Sequence, residues 1–200
     1  MSIFEVKAFE IPILIGISQQ TIDEHLKLYA GYVKHANLIR EHIETLAKID
    51  SEKYAYELAE LQRRFGFEFC GMRNHEYYFQ GFVGGAKPIN ESGKLYQALV
   101  TQWGDFQHWF LQFKAIAKTR GVGWAILYYD SATQQLLSGW IDEQHLGHLV
   151  SAQPILALDM WEHSFVADYM PSGKGSYIED FFKNLNWTVI EKNFEDVPSS

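Results

Sequence analysis

The stretch DMWEH, residues 159–163, sets two carboxylates, an indole and an imidazole within five positions at the end of an apolar run. Asp159 falls where a strand gives way to a helix, and His163 follows one helical turn later, so both side chains can point to one place. His25 and His75 lie within separate helical stretches and add two imidazoles. Three imidazoles and one carboxylate make a borderline ligand set that suits Mn, Fe or Zn, with room for a solvent ligand. The gaps of 50 and 84 residues between these positions are not a sequence motif, so their convergence depends on the fold.

Other chemistries are tested by absence. No histidine has Glu three positions before it, as a carboxylate-bridged di-iron bundle requires. HEYYF at 75–79 lacks the second histidine of a zinc hydrolase helix. There is no G-x-S-x-G elbow; SGKL lacks the Gly and the hydroxyl of a phosphate loop, and GVGWAI lacks the last Gly of a dinucleotide fingerprint. Cys70 has no base nearby in sequence and reads as a structural thiol.

The elements that must position these residues follow from periodicity. Apolar residues at three- and four-residue spacing predict a helix from Ser18, a plausible N-cap, to about Ala47, then helices over 51–64 and 67–82. VGGAKPIN at 83–90 is the clearest punctuation and marks a boundary between an N-terminal helical hairpin, 1–85, and a C-terminal unit, 86–200. Helices are expected up to Trp103 and from Asp105 to about Lys118, then strands at 123–130, 135–141 and 154–159. Helical character returns over 161–169 and in YIEDFFKNL, before a polar tail. The whole reads as α+β, with a small three-stranded antiparallel sheet flanked by helices.

Composition bounds the partners. The 200 residues are 47% hydrophobic, enough for a substantial core, and the formal net charge of -8 argues against a nucleic-acid or anionic-membrane partner. One cysteine excludes an internal disulfide, and the acidic N-terminal stretch has no signal-peptide pattern, so a cytoplasmic protein is expected.

DMWEH closely resembles the Asp-x-Trp-Glu-His signature of the iron/manganese superoxide dismutases. GISQQTIDEH resembles the start of that family's first helix up to its first metal-binding histidine, and RNHEYYF its segment with the second. SGKLYQALVTQWGDFQHWFLQF with GVGWAIL resembles its middle region, and NLNW its last helix. The resemblance implies superoxide as substrate, a homodimer or larger assembly, and one Mn or Fe ion per subunit on His25, His75, Asp159 and His163. It also makes Tyr32 the gateway tyrosine, Trp124 and Trp161 walls of the site, and Phe79 the occupant of a position more often Trp. Glu162 resembles the carboxylate that reaches across the two-fold axis to the partner subunit's metal-binding histidine, fixing its ring.

The chain departs from the family at several points. His25 and Tyr32 are seven apart where eight is usual, which predicts a missing helical bulge. The family's second histidine on the first helix and its tyrosine three residues after the last ligand bond across the dimer. Here Tyr29 or Ala30 and Val166 stand at those places, so both partners of the bond are replaced together. Lys174, with Lys27 as the other candidate, takes the place of a rim arginine that steers the anion. Gly71 stands at one of the two positions from which the family directs a glutamine at bound solvent; the second falls in DEQHLGHL, where His145 is favoured over Gln144 and His148 reads as a solvated loop residue. A redox-inactive relative with a binding or structural role, or a mononuclear metalloenzyme of another class, remains as an alternative reading.

Overall fold

The computed structural model describes residues 3–197. Helix α1 (Gln19–Asp50) starts where the Ser18 hydroxyl accepts the Thr21 N–H at 3.1 Å. His25, Tyr29, Val33 and Ala36 form its buried stripe. Helix α2 (Ala55–Gln80) packs back along it, so the expected hairpin forms. The break expected between 64 and 67 is absent and α2 is continuous. A single glycine such as Gly66 costs a helix only about 1 kcal/mol, which aromatic contacts such as Phe65 on Phe69 and Tyr32 on Phe67 offset.

Beyond α2 the chain turns through Gly84 and Gly85, both at φ +77°. Helices α3 (Lys94–Trp103) and α4 (Phe106–Ala117) follow, separated at Gly104 and with Asp105 capping α4. Strands β1 (Gly123–Asp130), β2 (Gln135–Asp142) and β3 (Gln153–Asp159) form one antiparallel sheet in the order β2-β1-β3. In its register Trp124 pairs with Asp159, which brings the start of β1 beside the end of β3.

The segment expected to be helical over 161–169 is a 3-10 turn at Glu162–Ser164 followed by a four-residue helix α5 (Val166–Tyr169). Helix α6 (Lys174–Asn184) matches the expectation, but the polar tail does not: it is helix α7 (Trp187–Glu195), capped by Asn186. Trp187, Ile190 and Phe194 lie on one face of α7, with Trp187 against Phe106, Trp109 and Phe182. Three apolar residues at helical spacing outweigh the charges between them. A continuous buried cluster runs from α1 and α2 through the sheet to α7. Cys70 is half-buried, and burial pushes its thiol pKa up, as suits a structural thiol.

Candidate metal centre

His25 and Tyr32 are two helical turns apart and both face α2. From α2 comes His75, from the end of β3 Asp159, and from the following 3-10 turn His163. One ligand atom from each of the four side chains lies within 4.8 Å of the others. Asp159 is fully buried, as are His25 and His75, and the His163 side chain is 22% exposed.

Asp159 and His75 are each oriented by a main-chain neighbour. The Trp161 main-chain N–H donates to Asp159 Oδ1 at 2.7 Å, which turns Oδ2 toward the histidines. The Nε2 atoms of His25, His163 and His75 stand 3.1, 3.2 and 3.6 Å from that one oxygen. His75 Nδ1 lies 2.6 Å from the Gly71 carbonyl, an acceptor only, so the proton sits on Nδ1 and Nε2 presents a lone pair. That buried Nε2 has no hydrogen-bond partner and faces a carboxylate oxygen, acceptor against acceptor. A cation relieves this opposition, and the three imidazoles and one carboxylate are a donor set for a borderline divalent or trivalent metal.

The electrostatics agree with neutral imidazoles around an anion. Burial lowers the His75 pKa to about 3 and also lowers that of His25, against the pull of Asp159. For Asp159 burial acts upward, but His163 and His25 more than offset it and hold the carboxyl below its usual range.

Around the four lie the expected aromatic residues. Trp124 meets His75 edge to face at 5.0 Å, Trp161 stacks on His163 at 5.8 Å, and Phe79 meets His25 at 4.9 Å. Tyr32 lies 5.0 Å from the His75 ring although α1 runs as unbroken α-helix through the shortened spacing. The preference for His145 over Gln144 meets a different geometry. Gln144 is fully buried, accepts from Trp124 Nε1 at 2.9 Å and donates from Nε2 to the Tyr32 hydroxyl at 2.9 Å. His145 instead packs its ring on Phe67. The physical reason is the direction of the loop: consecutive residues point to opposite sides, and the indole N–H of Trp124 requires the acceptor that a carboxamide supplies. His148, expected in solvent, is half-buried and bonded. Lys174 is not bonded to any of the four ligands; its ammonium donates to the Thr119 carbonyl at 2.7 Å and lies over Trp140. Lys27 pairs with Glu24 on the surface.

A family model described as iron/manganese superoxide dismutases, C-terminal domain, matches residues 91–193, which is 103 of the 200 residues. The chain belongs to the iron/manganese superoxide dismutase family. An iron superoxide dismutase of Pyrobaculum aerophilum is 31% identical over 176 residues, 86% of this chain and 80% of its own length. A manganese/iron superoxide dismutase of Aeropyrum pernix is 30% identical over 86% of this chain and 79% of its own. A manganese superoxide dismutase of Nocardia asteroides is 33% identical over 85% and 80%. The activity is therefore superoxide dismutation, an oxidoreductase reaction with one Mn or Fe ion, and these relatives are named for either metal or both. Among the described residues no helix is long and apolar enough to cross a membrane.

Proposed function

We propose that His25, His75, Asp159 and His163 hold the ion at which superoxide is converted to O2 and hydrogen peroxide. The observation that carries the assignment is the convergence of three imidazole Nε2 atoms on one buried carboxylate oxygen, with His75 Nε2 otherwise unpartnered. A bound Mn or Fe ion supplies the one-electron chemistry, cycling between trivalent and divalent states. The chain's own residues supply access, orientation and protons. In the metal-free chain burial raises the Tyr32 pKa, with Asp159 adding to it, which favours the protonated phenol. Because Gln144 Nε2 donates to the Tyr32 oxygen, the phenol's own hydrogen is free to be given to reduced dioxygen. Gln144, whose carboxamide already reaches Tyr32, rather than His145 would be the group to meet solvent on a bound ion, and Trp124, Trp161 and Phe79 would keep bulk water out.

The ligands come from both sides of the 85/86 boundary, two from 1–85 and two from 86–200, so the site assembles where the two units meet. Glu162 is exposed and its carboxylate makes no hydrogen bond or ion pair among the described residues, as a carboxylate reserved for the partner subunit of a homodimer would be. Lys174 is held by neutral groups only, which leaves its charge to steer an anion. A cytoplasmic site fits the single cysteine.

The test is metal analysis with superoxide-decay kinetics on Fe-loaded and Mn-loaded protein, beside a His163→Ala variant. Acceleration by at least one metal form, and loss of both metal and activity in the variant, are expected. A variant that kept one ion per chain and full activity would refute the ligand assignment.

A further inference from the structure

Gln144 occupies the tip of a tight loop. Asp142 and Leu146 exchange both main-chain hydrogen bonds, at 2.9 and 3.1 Å, and between them Glu143 is held at φ +52°. A non-glycine residue takes that left-handed conformation only where its surroundings enforce it. Glu143 is pinned on both sides, its N–H donating to Val122 O and its carbonyl accepting from Trp161 Nε1, each at 3.1 Å. The next carbonyl, that of Gln144, receives two donors: Asn74 Nδ2 at 3.1 Å and His148 Nε2 at 3.2 Å.

These contacts settle the His148 tautomer. A carbonyl only accepts, so the proton is on Nε2, and Nδ1 must accept; the Tyr128 hydroxyl stands 2.7 Å from it and donates. The 3.5 Å approach of Asn74 Nδ2 to His148 Nε2 is then two donors sharing one acceptor. Tyr128 is 1% exposed and anchored in β1, so the line Tyr128 to His148 to Gln144 carbonyl runs from the rigid centre of the sheet to the loop that carries the carboxamide.

We propose that His148, held by Tyr128, is a positioning residue for dismutation: together with Asn74 it fixes the Gln144 main chain, and so the approach of the Gln144 carboxamide to the Tyr32 hydroxyl. The inference rests on the reading of Gln144 and Tyr32 given above. His148 touches neither Tyr32 nor a ligand; it acts through the loop. Removing one of two donors lets the strained loop relax, which moves the carboxamide at its tip.

The experiment uses metal-loaded protein carrying His148→Phe, His148→Gln, Tyr128→Phe or Gln144→Ala, with metal content and thermal midpoint measured on each. Two readouts are followed: the decay rate of superoxide, and the pH midpoint of the visible absorption change of the oxidised metal form. His148→Phe keeps ring volume without nitrogens, and a rate loss of the order of tenfold is expected, at the low end of what groups behind a ligand shell contribute. Its absorption midpoint moves in the same direction as that of Gln144→Ala. His148→Gln restores a donor to the Gln144 carbonyl and recovers most of both, while Tyr128→Phe gives a smaller change of the same sign. Unaltered rate and midpoint in His148→Phe, with both changed in Gln144→Ala, would overturn the positioning role alone. His148→Gln as impaired as His148→Phe would overturn it too, because the nitrogens would then not matter. Gln144→Ala without effect on either readout would bring down the Gln144 reading and the inference with it. Should His148→Phe fail to fold, an unmoved midpoint in Tyr128→Phe is the overturning result.

Discussion

Gly71→Ala tests the packing that holds Tyr32 in place. A Cβ at Gly71 would lie 2.6 Å from Tyr32 Cδ1, 2.8 Å from Cε1 and 3.0 Å from Cγ, so the ring itself is met, not a flexible end. Carbon contacts are comfortable from about 3.5 Å, and the ring must therefore retreat by roughly 0.9 Å. A displacement of that size is enough to break the 2.9 Å bond between Gln144 Nε2 and the Tyr32 hydroxyl. Overpacking costs about 1–3 kcal/mol, whereas replacing a helical glycine by alanine returns about 1 kcal/mol. The net loss is therefore about 0–2 kcal/mol, a fall in Tm of at most roughly 8 °C for a chain of this size. Catalysis has no such offset, since a 1 Å misplacement can cost about 10²-fold. We expect a protein that folds, keeps one ion per chain, and dismutates superoxide about ten- to a hundredfold more slowly. Superoxide decay followed by pulse radiolysis, with metal content and thermal unfolding on the same samples, measures each quantity. In a Tyr32→Phe background the added alanine should have little further effect, because the hydroxyl it displaces is already gone. An unchanged decay rate at full occupancy, or the same fold-loss in both backgrounds, refutes the reasoning.

Glu162→Gln should weaken the proposed subunit association without altering the isolated fold, since the Glu162 carboxylate has no partner among the described residues; sedimentation at falling concentration checks it, and an unchanged dissociation constant contradicts it. Tyr29→Phe strips a hydroxyl that accepts from Lys7 N at 3.1 Å and donates to Glu76 Oε1 at 3.3 Å, so a loss of about 1–2 kcal/mol in urea unfolding is expected. In the metal-free protein the folded His75 pKa of about 3 lies below the ordinary 6.5, so between those values the unfolded chain binds a proton that the folded chain refuses. Stability then falls as pH drops through that window, by roughly 1.4 kcal/mol per pH unit for this group. Burial lowers His25 in the same sense. A denaturant midpoint that does not fall between neutral pH and about pH 5 would exclude the effect.

The convergence of the four candidate ligands was legible because each sits at a boundary or on a stripe that periodicity marks: His25 on the buried face of α1, Asp159 at the end of an apolar strand, His163 one turn beyond. The strands at 123–130, 135–142 and 153–159 follow the same logic of apolar runs between turn residues. Two kinds of feature were not legible. The continuity of α2 through Gly66 and the folding of the tail into α7 depend on tertiary contacts, Phe65 on Phe69 and Trp187 on Phe182, which override local composition. Which of Gln144 and His145 turns inward depends on which side of a three-residue loop faces Trp124, and a one-residue shift reverses it. The available signal was complementarity: a buried tryptophan N–H needs an acceptor, and only one of the two neighbours provides one without a tautomer constraint.

Tyr29 shows how the chain accommodates the lost cross-subunit pair. At one of the two places, Tyr29 and Ala30, where the resemblance leads one to expect a histidine bonded to the partner, a larger phenol points inward and is fully buried. Its hydroxyl must be satisfied inside the subunit, and Glu76 does this, with Lys7 Nζ at 2.6 Å and Arg73 Nη1 at 2.7 Å on the other carboxylate oxygen. A lone buried carboxylate there would be costly, and two cations with a hydroxyl leave it compensated. The same network ties the N-terminal segment, through Lys7, to the helix that carries His75. Val166, at the place of the missing tyrosine, correspondingly packs its apolar side chain against the core and offers no polar partner. The polar bonding of the Tyr29 phenol thus lies wholly within the subunit, where Lys7 and Arg73 meet it on Glu76 and brace α2 behind His75.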